Sequence, residues 1–326
     1  MIDHEDDQRT VLVTGAAGLI GVPVVRRFRG ERYRVVAVDD GSAGTLSRLD
    51  EFSADVGVAV CMLDIRHGIA LQRLLSAERP WAVMHLAARH FIPDCERSPD
   101  ITLDVNVVGT QRLVDACAAH PPERLVFAST ADVYEASTSP HAEHDPVDPQ
   151  GVYGCSKLLG EWVLRDQAHR LPGCVVTVAR LFNVYGPGDP HPHLLPEVLR
   201  QARHGTALHL GDMRAARDFV YIEDVAEALV ALTHCAYPGV VNIGTGTATV
   251  GREMVTLVAE ATDRLLEIHR DEHRLRRHSR PVSAAVPNRL RGLLPWWPRT
   301  SLREGIARTI AADFGDTADE CQSGAS

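Results

Sequence analysis

VLVTGAAGLIG, residues 11–21, joins a β-branched apolar run to three glycines spaced three apart. Gly15, Gly18 and Gly21 follow a strand directly and run across the start of a helix. Glycine there allows a tight turn, close approach of the backbone to a pyrophosphate, and close packing of helix on strand. The helix N-terminus adds free N–H groups and the positive end of its dipole. Downstream, VVAVDD at 35–40 ends a second strand at Asp39, 18 residues past Gly21. A carboxylate at that distance accepts hydrogen bonds from ribose hydroxyls and repels a 2′-phosphate. Asp40, Gly41 and Ser42 include no arginine to receive such a phosphate, so NAD is expected rather than NADP.

The same alternation continues outward. Apolar strands are expected at Val11–Thr14, Arg34–Val38, Val58–Leu63, Ala82–Leu86, Arg124–Ala128, Val175–Ala179 and Val240–Ile243. Helical patterns lie between them near 19–29, 68–77, 106–119, 153–169 and 223–234. Parallel strands need long crossovers and, covered on both faces, are apolar throughout. The expected fold is therefore α/β: a Rossmann-type doubly wound parallel sheet with a smaller substrate-binding domain. The regularity breaks at LFNVYGPGDPHPHLLP (181–196), read as largely loop. It breaks again beyond Gly246, where helices near 251–262 and 301–313 flank HRDEHRLRRHSRP. The expected division is 1–180 plus 219–245 for the dinucleotide and 181–218 plus 246–326 for the substrate. The first nine and last dozen residues read as frayed polar ends.

Composition narrows the function. The chain has 326 residues and a formal net charge of −9, which argues against a general nucleic-acid-binding role. No apolar run approaches the ~20 residues of a membrane span. The acidic N-terminus lacks a hydrophobic signal core, so a cytoplasmic protein is expected. Seven cysteines without a CxxC pair favour neither a disulfide framework nor a zinc site. The closest histidine pairs, His141/His144 and His191/His193, lack a ligand pattern, and no metal is expected.

Further blocks follow in order: Asp64-Ile65 after the third strand, HLAA at 85–88, NVVGT at 106–110, FASTADVY at 127–134 and YGCSK at 153–157. RLFNVYGPG (180–188), RDFVYIEDVAEA (217–228) and VNIGTG (241–246) complete the series, and WWPRTSLREGIARTI (296–310) also fits. With the GxxGxxG spacing, the chain resembles the extended short-chain dehydrogenase/reductases. Among these it is similar to the NAD-dependent sugar-nucleotide epimerases and dehydratases, of the UDP-glucose 4-epimerase type. The resemblance covers residues 10 to about 250. It implies that Leu19, Ile20, Asp64, Ile65, Leu86, Ala87, Ala88 and Asn106 join the glycines and Asp39 around NAD.

Tyr153 and Lys157 lie four apart on a predicted helix and share a face. A free tyrosine, with a pKa near 10, is a poor base at neutral pH. A lysine ammonium and a positive nicotinamide ring both favour the phenolate. Ser129 and Thr130 end a strand at the edge where ligands bind in open α/β sheets. The resemblance makes Thr130 the catalytic hydroxyl bridging the sugar 4-hydroxyl and Tyr153; Ser129 is read either as a catalytic hydroxyl or as a strand-end hydroxyl bonded to backbone.

The 4,6-dehydratases of the family carry Thr-Asp-Glu where this chain has Thr130-Ala131-Asp132. Ala131 has no proton to give, whereas Asp132 stays open as a shortened base, a sugar ligand or a solvated acid. By position, Arg217, Arg280 and Asn183 match groups that bind the diphosphate or sugar, although Val282-Ser283 replace the family's Gly-Asp after Arg280-Pro281. Arg89, just after HLAA, is a candidate reader of a uronate carboxylate. The arginines around 270–277 read as a solvated face.

The expected activity is C4 epimerisation of a nucleotide-diphosphate sugar through a 4-keto intermediate. A 4,6-dehydratase or 4-ketoreductase, and a non-catalytic NAD-sensing protein, are the alternatives. The resemblance also implies a homodimer through the helices near 106–119 and 153–169, with Leu113, Val114, Leu158 and Trp162 as candidate contacts.

Overall fold

The computed structural model describes residues 9–42, 46–274 and 280–314. Of the ends expected to fray, residues 1–8 and 315–326 lie outside the described residues, as do Arg276 and Arg277, whereas the Arg9 carbonyl accepts from the Arg34 N–H at 3.1 Å. Strands β1 (Thr10–Thr14), β2 (Arg34–Asp39), β3 (Val58–Met62), β4 (Ala82–His85), β5 (Arg124–Thr130) and β6 (Val175–Leu181) are followed by β7 (Asn183–Tyr185), β8 (Ala207–Leu210) and β9 (Ala216–Tyr221). After them come β10 (Gly239–Ile243), β11 (Ala248–Val250), β12 (Glu267–Arg270) and β13 (Val282–Ser283). The helices are α1 (Gly21–Gly30), α2 (Gly68–Glu78), α3 (Ile92–Arg97), α4 (Pro99–Leu103), α5 (Gly109–Cys117) and α6 (Val152–Asp166). Beyond them lie α7 (Leu194–His204), α8 (Ile222–Cys235), α9 (Gly251–Thr262), α10 (Asn288–Leu293) and α11 (Leu302–Phe314).

Seven strands form one parallel sheet in the order β10-β6-β5-β4-β1-β2-β3. Because β1 pairs with both β2 and β4, the chain reverses its direction of winding there, and a cleft opens above the carboxyl ends of the strands. Successive residues of a strand face opposite sides. Thus Val11 and Val13 pack with Val24, Val25 and Phe28 of α1 and Leu229 of α8, whereas Leu12 packs with Leu71 and Leu75 of α2 and Leu113 of α5. Both layers are fully buried, and truncating one member, Leu71→Ala for example, costs about 2–5 kcal/mol.

The stretch 181–196 is more ordered than its proline and glycine content predicts. Asn183–Tyr185 forms a strand parallel to β9, and α7 starts at Leu194. Three residues are too few for a periodic signal, and the pairing partner lies 36 residues away at Phe219. β9 also pairs with β11 and β13, and β8 with β12. Beneath them a separate core gathers Val198 and Leu199 of α7, Met254 and Val258 of α9, and Ile306 of α11. The expected helix at 106–119 is entered through a wider, π-type turn at Asp104–Val108, which carries Asn106 inward. No described helix is long and apolar enough to cross a membrane.

Candidate active site

The carboxyl ends of the strands open into a cleft of about 970 Å³ whose far wall comes from β9 and the segments around it. Its floor is the glycine turn. Gly15 sits at φ +70°, and a Cβ there would lie 2.7 Å from the Ala87 nitrogen. A Cβ on Gly21 would lie 2.2 Å from the Gly15 carbonyl oxygen. Both positions therefore exclude any side chain, and the turn presses against the Leu86-Ala87-Ala88 strip. Gly18, Leu19, Ile20 and Ile65 line the same cavity.

Asp39, at the end of β2, braces the turn. Its Oδ2 accepts from the Ala17 N–H at 3.0 Å and its Oδ1 from the Gly41 N–H at 2.8 Å. Each oxygen keeps a lone pair for a ribose hydroxyl. Two expected cofactor residues stand elsewhere. The Asp64 carboxylate is gripped by Arg66, at 2.6 Å in the shortest bond, and does not reach the cavity wall. Asn106 is buried and instead frames the wall: its Oδ1 accepts from the Arg89 N–H, and its Nδ2 donates to the Arg89 carbonyl and Ser156 Oγ.

Beneath that wall runs a directional chain of hydrogen bonds. The Thr110 hydroxyl donates to the Asn106 carbonyl at 2.7 Å, so its oxygen can only accept from His85 Nε2, 3.0 Å away. His85 Nδ1 is then the unprotonated nitrogen and accepts from the Thr14 hydroxyl at 2.8 Å, whose oxygen in turn receives the Ala87 N–H. This arrangement requires a neutral imidazole. Burial, with Lys157 nearby, pushes His85 down to about 3, which keeps it so.

Tyr153 and Lys157 project from the first turns of α6, and Thr130 from the end of β5; all three line the cavity. The Thr130 hydroxyl faces Tyr153 and accepts from the Asp132 N–H at 3.2 Å. Burial and the Asp132 carboxylate hold the Tyr153 phenol above its ordinary value, with the Thr130 hydroxyl as the counter-pull. Lys157 is buried with its Nζ 4.1 Å from the centre of the Phe127 ring. Burial pulls its pKa down to about 7, and Glu161 pushes it back up.

A sequence profile of the NAD dependent epimerase/dehydratase family matches residues 11–244. The chain belongs to that family. It is 33% identical over 316 residues to a UDP-glucose 4-epimerase of Mycolicibacterium smegmatis, covering 92% of this chain and 96% of the relative. Among solved structures it is similar to the UDP-glucose 4-epimerase of Thermotoga maritima with UDP-glucose, at 28% identity and a TM-score of 0.86 over 95% of this chain and 99% of that one. The Thermus thermophilus UDP-glucose 4-epimerase, in complex with NAD, gives 29% identity and a TM-score of 0.82 over 93% and 98%. The cofactor is NAD, which the glycine turn and the Asp39 carboxylate fit.

Within this epimerase/dehydratase frame the expected substrate residues take different stations. Asn183, Arg217, Arg280 and Arg89 all line the cavity. Arg217 Nη1 donates to the carbonyls of Ala216 and Arg280, which fixes its guanidinium at the wall. Arg280 is buried and already committed. Its Nη1 donates to the Ala131 carbonyl at 3.2 Å and its Nη2 to the Asp132 carbonyl at 2.6 Å, with Nε 3.7 Å from the Asp132 carboxylate. It therefore clamps the turn after Thr130. Arg89 keeps a buried Nε without a partner among the described residues.

Ser129 is committed too, donating to Glu161 Oε1 at 2.5 Å. Neither of its two expected partners, substrate or backbone, receives that proton. His191 and His193 form an aromatic wall: His191 stacks on Phe91 at 4.8 Å and meets His90 edge-on at 4.8 Å, while His193 pairs with Asp189 at 2.7 Å. His141 stacks on Tyr134 at 4.6 Å. Arg274 is not simply a solvated side chain, because it pairs with Glu197 at 2.8 Å. Sequence reading missed His85, Glu161 and Arg180. Only Glu161, one turn beyond Lys157, carried a spacing signal.

Proposed function

We propose that the protein is a sugar-nucleotide 4-epimerase that retains its NAD through the cycle. The observation that supports this best is the meeting of Tyr153, Thr130 and Lys157 at the cleft, beside a turn whose Ala131 can donate no proton. NAD, when bound, supplies a reversible hydride acceptor. Tyr153, as phenolate, takes the proton of the sugar 4-hydroxyl while the Thr130 hydroxyl bridges the two oxygens. Lys157 stabilises the phenolate, and the proton taken from the sugar rests on the Tyr153 oxygen until it is returned through the Thr130 hydroxyl. If the 4-ketone turns its other face before reduction, the C4 centre is inverted. Arg217 and Asn183 would hold the diphosphate and sugar meanwhile. The half-buried aromatic wall of His191 and Phe91 narrows water's access to that end of the cleft.

The unpartnered Arg89 Nε favours an anionic group on the sugar, and a uronate carboxylate is the anion of matching shape. A homodimer through the surface of α4, the turn at 104–108 and α6 completes the reading. Leu113, Val114 and Leu158 are buried in the subunit's own core and are not available for it. Trp162, the fourth expected contact, is exposed, and Ile101, Leu103, Val108 and Leu159 present apolar surface beside it.

The test is turnover without added cofactor. Protein carrying its own NAD should interconvert C4 epimers, and Tyr153→Phe should lose at least about 10²-fold in kcat while retaining NAD. A requirement for added reduced cofactor would make the protein a ketoreductase. Unchanged biological output from Tyr153→Phe would make it a sensor.

A further inference from the structure

Behind the cleft lies a charged cluster that the chemistry above does not use. Glu161 is one helical turn beyond Lys157 on α6 and is buried. Its Oε1 accepts from the Ser129 hydroxyl at 2.5 Å and from Arg180 Nε at 2.9 Å, and its Oε2 accepts from Arg180 Nη2 at 2.7 Å. Arg180, buried on β6, lies 4.7 Å over the Tyr134 ring, and the Tyr134 hydroxyl donates to Asn242 at 2.6 Å. The carboxylate is thus held in place by groups from β5 and β6. Lys157, in contrast, has no hydrogen-bond or ion-pair partner among the described residues beyond the electrostatic pull of Glu161 and the Phe127 ring.

Two states of the Tyr153–Lys157 pair contain the same number of protons: phenolate with ammonium, and phenol with amine. Solution pH does not choose between them; only the local field does. The groups facing the pair are His85, held neutral; Asp132 and Cys95, which oppose the phenolate; and Glu161, which favours the ammonium. Arg180 faces Glu161 from the far side. We propose that Glu161, fixed by Ser129 and Arg180, is a positioning residue that selects the phenolate–ammonium form and so creates the base. The inference rests on the epimerase reading for the use of that base, and not for its existence. It also gives Ser129 a place: its hydroxyl orients the carboxylate.

The test uses the NAD-loaded protein and needs no sugar. The tyrosinate difference absorbance, referenced to Tyr153→Phe, is titrated in wild type and in Glu161→Gln. The phenolate population at neutral pH should fall about tenfold in Glu161→Gln, a shift of about one pH unit in its midpoint. Since Glu161→Gln leaves the Arg180 charge buried and unpaired, the doubly neutral Glu161→Gln/Arg180→Gln guards against misfolding and should show the same loss. Lys157→Met should show it as well, and adding Glu161→Gln to Lys157→Met should do nothing more. An unchanged midpoint in both Glu161 variants, or independent losses in the Lys157→Met pair, would overturn the proposal. A shifted midpoint in a protein that epimerises no sugar would leave it standing and sink only the epimerase reading.

Discussion

Replacing Arg280 by methionine separates two roles for one buried guanidinium. If it clamps the turn after Thr130, Arg280→Met removes two charge-assisted bonds, to the carbonyls of Ala131 and Asp132. At roughly 1.5 kcal/mol each, the loss is about 3 kcal/mol, with most of the side-chain volume retained. Unfolding entropy of about 2.1 cal/mol/K per residue gives about 0.7 kcal/mol/K for this chain of 326 residues, hence a fall in Tm of about 4 °C. Thr130 loses its support, and an ångström of misplacement lowers kcat by about 10². Calorimetry and steady-state kinetics read both effects. The expected signature is lower Tm and kcat with KM for the sugar nucleotide within about threefold of wild type. A KM raised tenfold or more, with kcat and Tm unchanged, would refute the clamp and restore the diphosphate role implied by position.

Four other outcomes are expected. Gly21→Ala drives a Cβ into the Gly15 and Ala16 carbonyls, so thermal stability and NAD retention should fall together, whereas Asp39→Ala should lose NAD at least about tenfold without gaining NADP. Equilibrium dialysis measures both. Lys157 is depressed from 10.5 to about 7, so the unfolded chain binds the extra proton between those values. The cofactor-free protein should therefore gain stability as pH rises from about 7 towards 10.5, and Lys157→Met should raise Tm below pH 7 by flattening that slope. Arg89→Ala should lower kcat/KM for a uronate substrate at least about tenfold and leave a neutral hexose unchanged; equal effects on both would remove the carboxylate role.

Sequence showed the sheet because its inner strands are buried on both faces and carry long apolar runs; the order of strands and helices needed no tertiary information. The cofactor floor was legible for a related reason: only glycine fits at residues 15 and 21, so the backbone's demand is written in the residue type. Tyr153 and Lys157 were legible through helical spacing. For Arg280, Ser129 and Asn106 the sequence did not show the protein groups they bond. Each is a polar side chain with a partner 32 to 149 residues away, and nothing local says whether it faces ligand or protein. The β7–β9 pairing and the His85 chain depend on similar long-range contacts.

The most direct test of the central claim is product analysis. The NAD-loaded protein is incubated with a panel of UDP-, dTDP-, GDP- and CDP-sugars, uronates included, and resolved by chromatography with mass spectrometry. The account predicts a new peak of unchanged mass from one of them, absent in Tyr153→Phe. A product lighter by one water would contradict it and make Asp132, beside Tyr153, the acid–base group of a dehydratase.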